Sequence, residues 1–171
     1  MTITKQLMRL PAGSRPGAVV ALILGADCAM HLFWATTGNS WPATSFRSLS
    51  RGLLNAGFPF TPRVLFPLAA ILLAAAVMVL TQAGLPGGLA RLPARLPRLA
   101  TIGIGAAVLI RAIAGVLWIA GIGSPATSPF WWLNLFLYTP ACLVMFAGCV
   151  VLLRSATHRA GTSARIAPRA V

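Results

Sequence analysis

The chain has 171 residues, of which 58% are hydrophobic and only 9% are charged. A soluble domain carries about a quarter charged residues, and a chain of this length leaves too much surface exposed to hide so many apolar side chains from water. Composition therefore excludes an ordinary water-soluble domain and predicts a chain solvated mainly by lipid. Fourteen lysines and arginines face one acid, Asp27, so mechanisms that need two carboxylates are excluded as well.

The high positive charge does not predict nucleic-acid binding in this chain. The basic residues gather at the ends of apolar segments, and neither a platform of stacking aromatic residues nor a basic helix accompanies them. Lysines and arginines in such places are typical of cytoplasmic loops, where they contact anionic headgroups. We therefore expect the lipid bilayer as the main partner, with anionic lipids at the cytoplasmic loops, and no nucleic acid.

Four apolar segments are long enough to cross a bilayer as helices, which takes about 20 residues each. The predicted spans are residues 17–37, 64–82, 100–121 and 131–153. The first is longer than the core of a signal peptide and contains Asp27 and His31, so we expect it to be retained. The prediction is an all-α integral membrane protein, a four-helix transmembrane bundle over 17–153, with a basic N-terminus at 1–16 and a basic tail at 154–171.

Glycine and proline mark the connections between these spans. Residues 84–97 are rich in both and predict a loop, and residues 124–129 predict a short turn. The longest connection, 38–62, contains apolar residues at helical spacing, namely Phe46, Leu49, Leu53 and Leu54. Its pattern is compatible with a short amphipathic helix in the headgroup region or with a plain loop.

The distribution of lysine and arginine predicts the orientation of the bundle. Ten of these residues lie in the N-terminus, the second connection and the tail, which four spans place on one side, whereas the opposite side carries Arg47, Arg51 and Arg63. Cytoplasmic loops are the richer in positive charge, so both termini are expected in the cytoplasm, in a multi-pass protein of the inner (plasma) membrane. The tryptophans expected at the opposite interface are Trp41, Trp131 and Trp132.

Three ionisable residues lie inside the predicted spans, where a charge is costly and rarely accidental. Asp27 and His31 are four residues apart on the first span and therefore share a face. Arg111 lies on the third span, and at a helical rise of about 1.5 Å per residue it reaches the same depth as Asp27, roughly 15 Å from the cytoplasmic side. Because a guanidinium cannot lose its charge, we predict that Asp27 and Arg111 pair, directly or through water.

Stripes of residues predict which faces of the third and fourth spans turn inward. The stripe on the fourth span is Asn134, Tyr138, Cys142, Met145 and Cys149. The stripe on the third span, whose small residues would allow close helix approach, is Gly103, Ala107, Arg111 and Gly115. Pro140 is expected to bend the fourth span. The candidate residues of the resulting polar pocket are Asp27, His31, Trp34, Arg111, Asn134, Tyr138 and Cys142.

Metal and haem chemistry have little support. The cysteines form no C-x-x-C pair and are expected to pack between helices; they are Cys28, Cys142 and Cys149. A zinc site needs three or four ligands, which Asp27, Cys28 and His31 could supply only weakly, so no metal is predicted. A haem with two histidine ligands lacks its second histidine, because His158 lies in the tail. The sequence identifies no cofactor.

Three short elements resemble a small bacterial membrane family that is catalogued only as domain of unknown function 3995. They are H-L-F-W at 31–34 followed by Gly38, L-I-R-A at 109–112, and L-Y-T-P-A-C at 137–142. They occur in the family's order and cover most of the chain. The family often continues R-A-x-G-D after its arginine, whereas this chain has no acid there. The resemblance implies a four-helix membrane protein and supplies no activity.

These observations leave three functions open. The first is a non-enzymatic bundle that binds a small lipophilic or anionic molecule, or a partner protein, through the polar pocket. The second is a quinone-linked or other membrane redox enzyme that uses His31 and Tyr138 as proton donors. The third is a small proton-coupled transporter, which would require a homo-oligomer. The sequence does not decide whether any reaction is catalysed, nor whether the pairing of Asp27 with Arg111 serves function or only fixes helix packing.

Overall fold

The computed structural model describes residues 14–85, 88–89, 92–123, 126 and 128–166, with side chains described up to residue 156. The described residues form helices and connections without strands, which confirms the all-α class. The helices are α1 (Ser14–Thr37), α2 (Phe46–Leu54), α3 (Pro62–Ala83), α4 (Arg95–Ile119), α5 (Pro129–Leu133), a π-turn (Asn134–Tyr138) and α6 (Thr139–Ile166). The last three follow one another without a break, so they act as one long helix.

Four helices are long and apolar enough to cross a membrane, as the sequence predicts. They are α1, α3, α4 and the continuous helix that runs from α5 into α6. In the bundle, α1 packs along α3 and α6, and α4 packs along the same two helices. Consequently α1 and α4 lie diagonally across from each other. This arrangement decides which of the predicted polar residues can touch.

Small residues let the helices of the bundle approach closely. A Cβ atom on Gly148 of α6 would lie 2.6 Å from a methyl group of Val20, and one on Gly17 of α1 would lie 2.6 Å from the Cβ of Ala83. Around these contacts the buried residues form one apolar core, made by Val20, Leu24, Ala76, Val79, Ala112, Cys142, Met145, Cys149 and Leu152. The core occupies the half of the bundle that contains the start of α1 and the end of α3.

Two helix limits differ from the prediction. Helix α4 begins at Arg95, so residues 95–97 are helical although the sequence predicts a loop there. Pro97 falls in the first turn, where a missing backbone N–H costs no hydrogen bond. Helix α6 runs to Ile166 and not to residue 153. The end of the apolar segment marks where the helix can leave the lipid, but its backbone hydrogen bonds can continue beyond that point. Most of the predicted basic N-terminus, residues 1–13, and the last residues of the predicted basic tail, 167–171, lie outside the described part.

The connection between α1 and α3 contains a helix, which decides between the two alternatives left by the sequence. Ser45 caps the start of α2, where its side chain accepts a hydrogen bond from the N–H of Ser48, and Asn55 ends it in a left-handed conformation with φ of 55°. Leu49 is buried against Trp34 of α1. The indole N–H of Trp34 also donates to the carbonyl of Trp41 at 2.7 Å. The connection is therefore fastened to the end of α1.

The predicted inward face of the fourth span is confirmed, with four of its five residues buried and Tyr138 half-buried. The predicted face of the third span is wrong: Gly103 and Ala107 are exposed, and the buried residues of α4 include Thr101, Gly105, Ala112 and Gly115. A strict spacing of four residues turns by about 40° per step relative to a helix of 3.6 residues per turn. The predicted stripe thus winds away from the core, whereas alternating steps of three and four stay on it.

Candidate functional site

His31 and Asp27 of α1 form a local pair. The Nδ1 atom of His31 lies 2.8 Å from the backbone carbonyl of Asp27 and 3.3 Å from its carboxylate. Both neighbours are acceptors, so Nδ1 carries the hydrogen. The imidazole is buried and meets the ring of Trp34 edge-on at 5.2 Å between centroids. By contrast, the side chain of Asp27 is 53% exposed on the outside of the bundle. The contact confirms that the two residues are neighbours on α1, but Asp27 lies on its exposed side and not inside the predicted pocket.

Arg111 of α4 is held by aromatic faces. Its guanidinium carbon lies 4.8 Å from the centroid of the Trp118 ring and 5.4 Å from that of Tyr138. A cation over such rings is attracted by their negative faces. Its Nη1 atom is buried and has no hydrogen-bond partner among the described residues. The structure thus positions a permanent charge without neutralising it.

Two more unpaired polar atoms lie on the helix that faces Arg111. Asn134 is fully buried; its amide donates to the carbonyl of Phe130 at 2.8 Å, whereas its Oδ1 has no partner in the described structure. The Oγ1 of Thr139 is likewise buried and unpaired. A Cβ atom on Gly115 would overlap Thr139 Oγ1 and lie 3.5 Å from Arg111 Nη1. The missing side chain at Gly115 therefore lets the Thr139 hydroxyl and the Arg111 guanidinium come close together.

The π-turn shapes this part of the site. Across it the N–H of Thr139 bonds to the carbonyl of Asn134, five residues back. Pro140, which cannot donate, follows directly, so the disturbance predicted for the fourth span takes the form of a widened turn. Such turns are frequent at functional sites. Thr139 is the residue that sequence reasoning missed, and its position between Tyr138 and Pro140 was the available signal.

The direct form of the predicted pair between Asp27 and Arg111 is wrong. The carboxylate of Asp27 has an ion pair within 4.0 Å only with His31 among the described residues. Equal depth could not reveal that α1 and α4 are diagonal in the bundle. Pairing through water stays a prediction.

Two predicted pocket residues have packing roles. Trp34 belongs to an apolar cluster with Ala35, Leu49 and Leu65 at one end of the bundle. Cys142 belongs to the main core. All three cysteines are free and buried, and the Cys28 thiol donates to the carbonyl of Ala69 on α3 at 3.3 Å. This confirms that the cysteines pack between helices.

A cavity of about 560 Å³ lies away from these residues, between α2 and the start of α5. None of the seven predicted pocket residues lines it. Its charged lining residues are Arg47 and Arg51. Within the described residues, no group of three or more histidine, cysteine or acidic side chains is placed to hold a metal ion. Arg111 and the two arginines of this cavity therefore lie in separate parts of the molecule.

The contacts of Asp27 predict the outcome of a double-mutant cycle. The losses of unfolding free energy in Asp27→Ala and His31→Ala should be less than additive when combined, with a coupling of roughly 0.5–1 kcal/mol for a part-exposed pair. Asp27→Ala and Arg111→Leu should combine additively within about 0.5 kcal/mol. Thermal unfolding in one detergent measures both cycles. Coupling between Asp27 and Arg111 that exceeds the coupling to His31 would instead establish the water-bridged pair.

Comparison with known proteins places the three motif elements within one family model. The model described as "Protein of unknown function (DUF3995)" matches residues 23–150, which is most of the chain. No curated protein and no solved structure matches. The matched range includes His31, Arg111 and Tyr138 and stops inside α6.

Proposed function

Because this chain belongs to the DUF3995 family, whose description assigns no activity, we propose its function from its own geometry. We infer that it is a non-enzymatic, multi-pass membrane protein. Its bundle binds a small lipophilic molecule whose anionic or hydrogen-bond-accepting group pairs with Arg111. The residues around Arg111 support this proposal, whereas the family description names no ligand.

The charge distribution supports a bundle with both termini in the cytoplasm. Arg15, Arg98 and Arg154 lie at one end of the bundle, where α1 and α4 begin. The opposite end carries α2, with Arg47 and Arg51, and the connection that precedes α5. Because the basic side of a membrane protein is the cytoplasmic one, α2 then lies at the outer surface of the inner membrane.

One observation carries the proposal: Nη1 of Arg111 is buried without a hydrogen-bond partner in the described structure. Arg111 is half-buried as a residue, and a buried donor without an acceptor costs about 1–3 kcal/mol, so a ligand oxygen that reaches this nitrogen recovers part of that cost. The unpaired hydroxyl of Thr139 lies beside this nitrogen and can donate to the same ligand group, whereas the unpaired amide oxygen of Asn134 only accepts and does not bind an anion. The rings of Trp118 and Tyr138 supply apolar walls beside the charge. These groups suit a lipophilic body with a carboxylate, phosphate or carbonyl group.

Native mass spectrometry of gently purified protein tests the proposal. Wild-type protein is expected to retain a defined small-molecule mass, and Arg111→Met is expected to lose it. The unliganded variant should unfold at the same or a higher temperature, because methionine removes an unpaired buried charge. Arg98→Met, on the exposed start of the same helix, is the matched control and should retain the mass. Retention by Arg111→Met, or a wild-type spectrum without a ligand, would contradict the proposal.

Proton-coupled transport is a second candidate, favoured by the exposure of Asp27. Its carboxylate is 53% exposed on an apolar helix, and a charge in lipid costs about 2.5–3.5 kcal/mol. A second copy of the chain could cover it, which fits the homo-oligomer that transport would need. The same spectra report the oligomeric state, and a monomer in mild detergent would count against transport. A quinone, haem or flavin mass would instead support the redox alternative.

A further inference from the structure

The groove between α2 and the start of α5 has two arginines on one wall and an apolar floor. Arg47 and Arg51 are one helical turn apart on α2, and both line the groove. Pro129 and Phe130 of α5 form part of the other side, and Phe130 is almost fully buried. The volume of about 560 Å³ lies in the range of small-molecule sites. The groove is separate from Arg111 and its neighbours.

Hydrogen bonds hold the groove in shape. The side-chain amide of Asn55, at the end of α2, donates to the carbonyl of Gly123 at 3.1 Å and so ties α2 to the connection before α5. The buried hydroxyl of Ser50 donates to the carbonyl of Ala56 at 2.6 Å and accepts from the N–H of Phe58 at 2.7 Å. These bonds fix the backbone that follows α2. The walls are therefore ordered before any ligand arrives, which lowers the entropy lost on binding.

No acidic side chain of the protein is placed to neutralise the two arginines. The chain contains one acid, Asp27, and its carboxylate pairs with His31 on α1. Neither the Arg47 nor the Arg51 side chain makes a hydrogen bond, ion pair or ring contact in the described part of the structure. Like charges one turn apart repel each other. An anion placed between them removes this repulsion, and it has to come from outside the chain.

We propose that the groove binds a phosphate group through Arg47 and Arg51. A guanidinium presents a planar fork of donors that matches phosphate oxygens in pairs, and the apolar floor suits the carbon part of a phosphate ester. The phosphate belongs either to a lipid headgroup or to a soluble ion or ester. Under the proposed topology the groove opens at the outer surface, away from the cytoplasmic basic loops. The groove is therefore a phosphate site distinct from the basic loops that attract anionic lipids on the cytoplasmic side.

Two arms of one experiment test the site and identify the source of the phosphate. In the first, inorganic phosphate is titrated into full-length protein in a maltoside detergent, and binding is followed by calorimetry. In the second, the protein is reconstituted in vesicles of phosphatidylcholine and phosphatidylglycerol, re-extracted, and analysed for retained phosphatidylglycerol. Calorimetric binding without retained lipid assigns the groove to soluble phosphate, and retained lipid assigns it to a headgroup. Either result supports the site if it depends on Arg47 and Arg51.

The double variant Arg47→Gln, Arg51→Gln is expected to weaken binding at least about tenfold, since each charge-assisted hydrogen bond contributes a factor of that order. Arg63→Gln removes a charge from the same end of the bundle without touching the groove, so it should bind like wild type. The proposal is overturned if wild type binds in neither arm, if the double variant binds normally, or if Arg63→Gln weakens binding as much as the double variant does.

Discussion

Replacing Trp34 with alanine is expected to lower the free energy of unfolding by about 3–5 kcal/mol. The indole is only 5% exposed and packs with Leu49 of α2 and Leu65 of α3. It also donates to the carbonyl of Trp41 at 2.7 Å. The change therefore leaves a cavity and an unpaired carbonyl at the point where the first connection is fastened to the bundle.

Thermal unfolding in detergent and limited proteolysis measure the two parts of this effect. Cleavage within residues 38–61 should become faster in Trp34→Ala than in wild type, because α2 loses its anchor. Trp41→Ala is the matched control: its side chain is 62% exposed, and its backbone carbonyl remains available to Trp34. The control should change stability by less than about 1 kcal/mol. Equal losses in the two variants would show that the anchor lies elsewhere.

Replacing Gly115 with alanine is expected to destabilise the bundle by about 1–3 kcal/mol, because it overpacks a helix contact. The added methyl group would overlap the hydroxyl of Thr139 and lie 3.2 Å from its Cβ. Both residues are buried, so α4 and α6 must separate or Thr139 must turn away. Either response also displaces the surroundings of Arg111 Nη1, so ligand retention should fall together with stability.

A glycine on the same helix supplies the control for this change. Gly103 has no atom within 4 Å of the position of its Cβ, so Gly103→Ala should leave stability unchanged or raise it by up to about 1 kcal/mol. Adding Thr139→Ala to Gly115→Ala removes the closest clash and should recover part of the loss. Melting temperatures of the four proteins decide the matter. A loss in Gly103→Ala equal to that in Gly115→Ala would mean that the effect is not steric.

The spans could be predicted because the length of an apolar segment by itself decides whether a helix fits a bilayer. Caps and tertiary packing set the rest, so the start of α4 at Arg95 and the long C-terminal extension of α6 were not foreseen. The face of α4 was also misjudged, since Gly103 and Ala107 share a spacing with Gly115 but not its side of the helix. Composition identifies small residues without showing which of them meet a neighbour.

The contacts of the site that depend on one helix could be predicted from the sequence, whereas those that depend on the order of the helices could not. Spacing along one helix is local information, so the contact of His31 with Asp27 followed from four residues of separation. Spacing also predicts the inward stripe of the fourth span, and Tyr138 of that stripe lies beside Arg111. The order of helices around the bundle is not local, and it separates Asp27 from Arg111. The groove at Arg47 and Arg51 depends on how α2 meets α5, which no spacing in the sequence encodes.

The π-turn has a consequence for helical phase along the fourth span. It contains one residue more than a regular turn would, so the segment before Asn134 is rotated relative to the segment after Tyr138. This offset lets Phe130 close the arginine groove while Cys149 faces the core on the same continuous helix. Deleting one residue of the turn would restore a regular helix and would force one of these two surfaces out of place. The extra residue thus allows one continuous helix to line the groove near its start and to pack into the core near its end.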